Sequence, residues 1–499
     1  MNKTFLQLIN LFIAILLYTT NVACSSSNNG ENGIDNTGIT VKSGMNLVGK
    51  IMDDTTPLQG VVVSDGYTTT ISDENGIYQM KANNNADFVF VSIPANCEIP
   101  VSNGFPVIYQ SISVKENKVL YKDFSLKKTE LKNKFRLLAM ADIQIGDKTD
   151  VAYLEADIPQ ISAYIQGLSS QPIYGISLGD LVWDNMPYYT TYKQQIRRLN
   201  IPIFSVIGNH DHNMNVINND EIADADFKKN FGPTYYSYNI GECHFVVLDD
   251  ILYQGGENKS YTGTITERQL SWLKEDLKYV SKDKLIIVGL HIPTKRRNSN
   301  TQISNNAELY KLLDGYKVRI LSGHSHNNYT TTISNSIEEN SLGSVMGAFW
   351  NGDLCNDGSP RGFAIYEIEG NQIKNWYYKG TYHPSNYQMY LYRPGEAVSS
   401  EYQKGILINI FNWHTNWNVK LYEDGEYKQN LTNNIKEMDP RAYNTMYGSD
   451  KPSHRPSAEP EKNCDHMFYY QPSASWNEIK IEATDPYGNT YINTLEQGE

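Results

Sequence analysis

Basic residues are in deficit: 43 Lys and Arg stand against 56 Asp and Glu, for a net charge of −13. Long-range attraction to a polyanion needs clustered cations that displace counterions, so no nucleic acid is expected as a partner. Cysteine is scarce as well. The 5 cysteines, Cys24, Cys97, Cys243, Cys355 and Cys464, lack the close spacing of a zinc site or a disulfide framework. Cys243 sits within an apolar run and reads as a small buried hydrophobe. Beyond the N-terminus no apolar run is long enough to span a bilayer. There is no internal repeat, and no low-complexity tract outside residues 25–43.

What is present is the composition of a folded protein, 40% hydrophobic and 20% charged, in a chain of 499 residues. That length exceeds what one core usually serves, and roughly 100 to 200 residues per domain implies a multidomain chain. Residues 1–24 carry Lys3, an apolar stretch from Leu6 to Tyr18 and small residues ending in Val22-Ala23-Cys24, the layout of a secretory signal. Cys24 followed by a Ser- and Asn-rich stretch resembles the lipobox of bacterial lipoproteins. The expectation is an exported, membrane-anchored lipoprotein, periplasmic or cell-surface facing, touching the membrane only through a lipid on Cys24; an ordinary cleaved signal is the alternative. Residues 25–43 have the composition of a flexible tether. Residues 44–130 hold short β-branched runs punctuated by turn residues, which predicts a small β-sandwich, and 384–499 repeat that texture. Between them, residues 131–383 alternate apolar strand runs with helical patterns, the signature of an α/β layer fold. One helix is predicted to open at Thr266, with Gln269 completing a capping box.

Five apolar runs in this central segment each lead to a residue able to bind a metal: Asp142, Asp180, Asn209, His291 and His324. Strands buried on both faces read as such continuous runs, and α/β sheets gather ligands beyond the carboxyl ends of their strands. The five endings are therefore expected to converge. Glycine directly precedes Asp180, Asn209 and His324, which suits a sharp turn with backbone and ligand crowded together. Aspartate can bridge two cations about 3.5 to 4 Å apart while His and Asn fill the remaining positions, an arrangement that activates water and clamps phosphoryl oxygens. The chemistry so implied is phosphoester hydrolysis.

The motifs Asp142-Ile143-Gln144, Gly179-Asp180-Leu181-Val182, Gly208-Asn209-His210-Asp211, a lone His291 and Gly323-His324-Ser325-His326 resemble, in that order, the signature of the calcineurin-like metallophosphoesterases. The resemblance covers Phe135 to about Tyr382. It implies an α/β/β/α metallophosphoesterase sandwich core, flanked here by two small all-β sandwich domains, the first of them transthyretin-like, as in an exported bacterial branch. It further implies two divalent metal ions, the first held by Asp142, Gln144, Asp180 and His326 and the second by Asp180, Asn209, His291 and His324. His210 would face the leaving group and Asp211 would orient it. Gln144 stands where the family usually has His, and a carboxamide oxygen is a harder, weaker donor than imidazole, which favours Mn²⁺ or Fe²⁺ over Zn²⁺. Trp183 stands where purple acid phosphatases have a tyrosine ligand.

The implied activity is hydrolysis of a phosphomonoester or phosphodiester of a small phosphorylated substrate, with the two left open. Lys295, Arg296 and Arg297 after His291 are candidates to grip a second anionic group, and Trp350 either rims the pocket or packs in the core. A different class of reading, a catalytically quiet glycan-binding surface lipoprotein with a structural metal site, leaves His210 without a role.

Overall fold

The computed structural model describes residues 36, 38–115, 118–168, 170–256, 259–296, 302–449, 454 and 458–498. The signal, most of the tether, Cys24 and Arg297 lie outside the described residues.

Two sheets form the middle of the molecule. One has the strand order Ile203–Val206, Ile173–Leu178, Lys134–Met140, Gly362–Glu369, Gln372–Gly380, and the other Tyr236–Ile240, Cys243–Val247, Leu285–Gly289, Lys317–Ser322, Ile337–Ser341, Tyr329–Thr332. The first three strands of the first sheet run parallel, as do Cys243–Val247, Leu285–Gly289 and Lys317–Ser322 in the second. The pleat sends successive side chains to opposite faces. Phe135, Leu137 and Ala139 accordingly share a core with Tyr238, Phe245 and Ile287 between the sheets. Leu138 and Met140 face outward, against Leu154, Ile158, Ile161 and Ile165 of the helix Lys148–Gly167. On the opposite side the second sheet is covered by the helices Glu267–Asp276 and Asn306–Leu313, through Trp272, Leu273, Leu309 and Leu313. The order of layers is helix, sheet, sheet, helix, and the parallel strands point their carboxyl ends to one edge.

The helix predicted at Thr266 spans Glu267–Asp276, and the Thr266 hydroxyl accepts from the Gln269 amide at 3.4 Å. The other half of the capping box is absent. The Gln269 side chain instead accepts from the Asp249 backbone N–H and donates to the Asp249 carbonyl, tying the helix to the end of a core strand.

Both flanks are rich in sheet. On the N-terminal side the strand Leu47–Asp53 is the hub of one sheet, and Val62–Ser64 and Phe88–Ser92 are central in another. Their apolar residues join the core between the main sheets. The Trp272 indole donates to Ser64 at 3.1 Å. On the C-terminal side a three-stranded sheet built on Ile406–Ile410 packs with a four-stranded one containing Asn418–Glu423 and Glu478–Thr484 around a core of their own. This flank meets the centre through buried polar contacts: Asn409 donates to the Asp357 carbonyl at 2.9 Å, and Asp357 accepts from the backbone of Asn328, two residues beyond His326. Cys97, Cys243, Cys355 and Cys464 are buried free thiols. No helix among the described residues is long and apolar enough to cross a membrane.

Candidate metal centre

Each of the five strand ends delivers its residue to one place. Asp142, Gln144, Asp180, His324 and His326 all have positive φ, from 45° to 63°, a region that residues carrying a Cβ enter at a cost. The chain thus turns abruptly off the strands that lead to Asp142, Asp180 and His324. The glycines before the ligands are required by contact. A Cβ on Gly179 would lie 2.5 Å from the His291 ring, one on Gly208 2.2 Å from the Asp180 carboxylate, and one on Gly323 2.6 Å from the Asp142 carboxylate.

The donor atoms crowd. His291 Nε2 lies 3.3 Å from Asp180 Oδ2, 3.1 Å from Asn209 Oδ1 and 3.2 Å from His324 Nδ1. His326 Nε2 lies 3.3 Å from Asp142 Oδ1. Two donors about 2.1 Å from one cation are about 3.0 to 3.4 Å apart for octahedral or tetrahedral angles, so these spacings suit the edges of coordination polyhedra. His291 Nδ1 donates to the Leu178 carbonyl at 2.8 Å, which leaves Nε2 as the ligating nitrogen. Asp180, His291 and His324 together satisfy the spacing of a metal-binding group.

Gln144 is buried beside Asp180, with Nε2 2.5 Å from Asp180 Oδ2 and with Oε1 buried and lacking a hydrogen-bond partner. A half-turn of the amide exchanges the two ends, and beside a cation held by Asp180 the oxygen is the end that fits. Asp142 Oδ1 is likewise buried without a hydrogen-bond donor. Electrostatics agree. Burial opposes charge on His291, but Asp180, Asp142 and Asp250 outweigh it and raise the imidazole to about 10. Burial also opposes charge on Asp180, yet His291, His210 and His324 hold it well below the usual carboxylate range. The cluster attracts positive charge.

His210 stands at the rim, its backbone N–H on Asp180 Oδ1 at 2.9 Å and its ring against Trp183, centroids 5.1 Å apart. Its Nδ1 faces Asp184 at 2.9 Å. This corrects the role expected of Asp211, whose carboxylate lies beneath the loops and accepts from the backbone of Leu181, Val182 and Gly208 and from the Tyr189 hydroxyl. Asp211 clamps the Asp180 and Asn209 loops together. Asp250 does the same for the third, accepting from the His291 and Ile292 amides. Asp184, Asp250, Lys259, Tyr261 and Phe349 carry no motif signal. Phe349 wedges between Trp183 and His326, 4.8 and 5.0 Å from their rings.

Trp350 does not rim the pocket; it is buried and stacks on Tyr153. Arg296 is turned toward Glu461 of the C-terminal flank, 3.5 Å away. His212 is buried, its ring stacked on Tyr253, and burial lowers it to about 4.

Buried oxygen and imidazole donors at the shared edge of a two-sheet sandwich define a metal-dependent hydrolase. Family models described as the N terminal of calcineurin-like phosphoesterase, calcineurin-like phosphoesterase, and the C terminal of calcineurin-like phosphoesterase match residues 45–129, 135–328 and 339–491, and the chain belongs to the calcineurin-like phosphoesterase family. A probable glycerophosphodiester phosphodiesterase, GpdQ, from Arcobacter nitrofigilis is 26% identical over 215 residues, covering 40% of this chain and 75% of that protein. Among solved structures, a dimetal phosphatase from Danio rerio aligns at 16% identity and TM-score 0.36 over 47% of this chain and 93% of its own. The purple acid phosphatase PPD1 from yellow lupin (Lupinus luteus) aligns at 15% identity and TM-score 0.38 over 52% and 55%.

The two carboxylates near His210 separate by mutation. Asp211→Ala leaves buried amides unpaired, at about 1 to 3 kcal/mol each, so it lowers the melting temperature and the metal content together. Asp184→Ala keeps both near wild type and lowers turnover, most for esters with poor leaving groups. Matching metal loss in the two variants, measured by elemental analysis, rules out this division of roles.

Proposed function

We propose that this enzyme hydrolyses a phosphomonoester or phosphodiester of a small phosphorylated substrate at two divalent metal ions. The observation that carries the reading is the spacing of Asp180, Asn209, His291 and His324 donor atoms at 3.1–3.3 Å, beside the partnerless buried oxygens of Gln144 and Asp142. Asp142, Gln144, Asp180 and His326 hold the first ion, and Asp180, Asn209, His291 and His324 the second, with Asp180 shared. When bound, the pair supplies an activated water and neutralises charge on the phosphoryl oxygens. His210 stabilises the departing alkoxide by charge or proton donation, and Asp184 fixes its ring. The glycerophosphodiester phosphodiesterase activity named for the A. nitrofigilis relative is the reason to include diesters among the substrates to be tried. The amide oxygen of Gln144 favours Mn²⁺ or Fe²⁺. The flanks are read as a transthyretin-like N-terminal sandwich and a C-terminal β-sandwich, and the chain as an exported lipoprotein.

Asp180→Asn abolishes turnover, because one carboxylate offsets charge on both ions, while His210→Ala retains metal and loses about 100-fold or more in turnover. Paired chromogenic mono- and diesters, assayed after chelation and readdition of metal, check both; an active, fully metallated Asp180→Asn overturns the two-metal assignment.

Gln144→His tightens the first ion and shifts preference toward Zn²⁺, since imidazole is the softer and stronger donor, and Gln144→Ala creates a dependence on added metal. Unchanged metal content after mild chelation in both variants removes Gln144 from the ligand set.

Cys24→Ser moves the protein from the membrane to a soluble exported fraction. A mature, signal-cleaved variant that stays on the membrane refutes lipid anchoring.

A further inference from the structure

A hairpin made of Ile251–Gly255 and Ser260–Gly263 stands apart from both main sheets as a two-stranded sheet of its own. It is pinned where it leaves the core: the Tyr253 amide donates to Asp220 at 2.8 Å, Thr264 to the Asp250 carbonyl at 2.9 Å, and Ser304 to the Gly263 carbonyl at 2.8 Å. So anchored, it brings two side chains to the metal centre. The Tyr261 hydroxyl lies 3.5 Å from His324 Nε2. Lys259 Nζ lies 2.6 Å from Asp184 Oδ2, on the carboxylate whose other oxygen holds His210.

Lys259 has φ +49°. Its partner Asp184 is only 8% exposed, so the ammonium helps to offset a largely buried carboxylate, but that contact does not use up the ammonium. Asp184 occupies one of its three donors, and the side chain is 44% exposed. Of the two described cations that follow His291, Arg296 is turned to Glu461 and is 16% exposed, while Lys295 is exposed and makes no contact with His210 or Asp184 like that of Lys259. In a chain of net charge −13, selection of an extra negative charge has to come from a local cation.

We propose that Lys259 is a specificity-determining residue that recognises an anionic group, a carboxylate or a second phosphate, on the leaving group of the ester. The proposal rests on the phosphoesterase reading and on the place of His210 at the leaving-group side. Tyr261 lies on the His324 side of the centre, its hydroxyl 3.5 Å from His324 Nε2.

The test compares 4-carboxyphenyl and 4-carbamoylphenyl leaving groups, each as phosphomonoester and as methyl diester, on the metal-loaded full chain. For the wild type, kcat/KM is higher with the carboxylate. Lys259→Met lowers the carboxylate-to-carboxamide ratio of kcat/KM by about tenfold or more, the scale of a charge-assisted hydrogen bond, with the change in KM, as expected for a contact made alike before and during reaction. Lys259→Arg restores most of the ratio. A thermal melt matching wild type shows that the hairpin is folded. An unchanged ratio with kcat falling equally for both leaving groups means that Lys259 acts only by positioning Asp184, and the proposal is wrong; an unchanged ratio with no fall in kcat makes Lys259 a solvated residue and overturns the proposal equally. A wild type that hydrolyses none of the four esters with Mn²⁺, Fe²⁺ or Zn²⁺ fails the phosphoesterase reading itself, before any variant is compared.

Discussion

Everything at the metal centre depends on keeping the Asp180 carboxylate, a buried negative charge, within 3.3 Å of three other polar side-chain and backbone groups. Its oxygens meet the His210 amide, the Gln144 amide and the His291 imidazole. Removing a carboxylate from water is expensive unless opposite charge and donors replace the solvent, and the surrounding imidazoles do so strongly enough to hold Asp180 ionised despite complete burial. The local backbone follows from this need. Asp180 itself is left-handed, Gly208 has no room for a side chain because the Asp180 carboxylate occupies it, and Gly179 has none because His291 does.

A site so crowded has to be held shut from behind, and a second set of buried carboxylates serves that end. Asp211 gathers three backbone amides from two loops, and Asp250 takes two from a third. Burial raises both acids to about 7, yet each remains where amide donors converge. The sheets supply rigid strands, and these carboxylates carry the order on through the turns alongside the few backbone bonds that continue there, such as Gln144 N–H to the Asp180 carbonyl at 2.9 Å and Gly323 N–H to the His291 carbonyl at 3.0 Å.

The residues that converge at the strand ends were legible in the sequence because the strands that carry them are largely buried on both faces. Ile173–Leu178, Ile203–Val206 and Leu285–Gly289 read as continuous apolar runs, so the polar residue that breaks each run stands out. The same logic fails for groups that reach the centre from elsewhere. Asp184 follows Asp180 by four residues in an irregular turn, and nothing periodic distinguishes it from Asp211, which lies next to His210 in sequence but is turned beneath the loops. Lys259 and Tyr261 arrive on a hairpin whose strands are half exposed, and Phe349 arrives on a left-handed turn. Their positions are set by tertiary packing alone. Gln269 shows the same limit at a helix end: the capping pattern located the start, but the Asp249 backbone competed successfully for the side chain.

The two kinds of acid point to a general difference in how carboxylates are used in such an edge site. A carboxylate that accepts mostly from backbone amides is saturated by the fold and has little left to offer a cation; Asp211 and Asp250 are of this kind. One that faces imidazoles and keeps an oxygen without a hydrogen-bond donor, as Asp142 does, is saturated only when a cation joins it. Asp184 is neither, since its two oxygens are divided between a histidine ring and a lysine ammonium. That division makes it a link between the reacting edge of the centre and the hairpin beyond it. The charge around His210 is thereby set by residues that lie outside every motif of the strand ends, so it can change while the cluster at the sheet edge is kept.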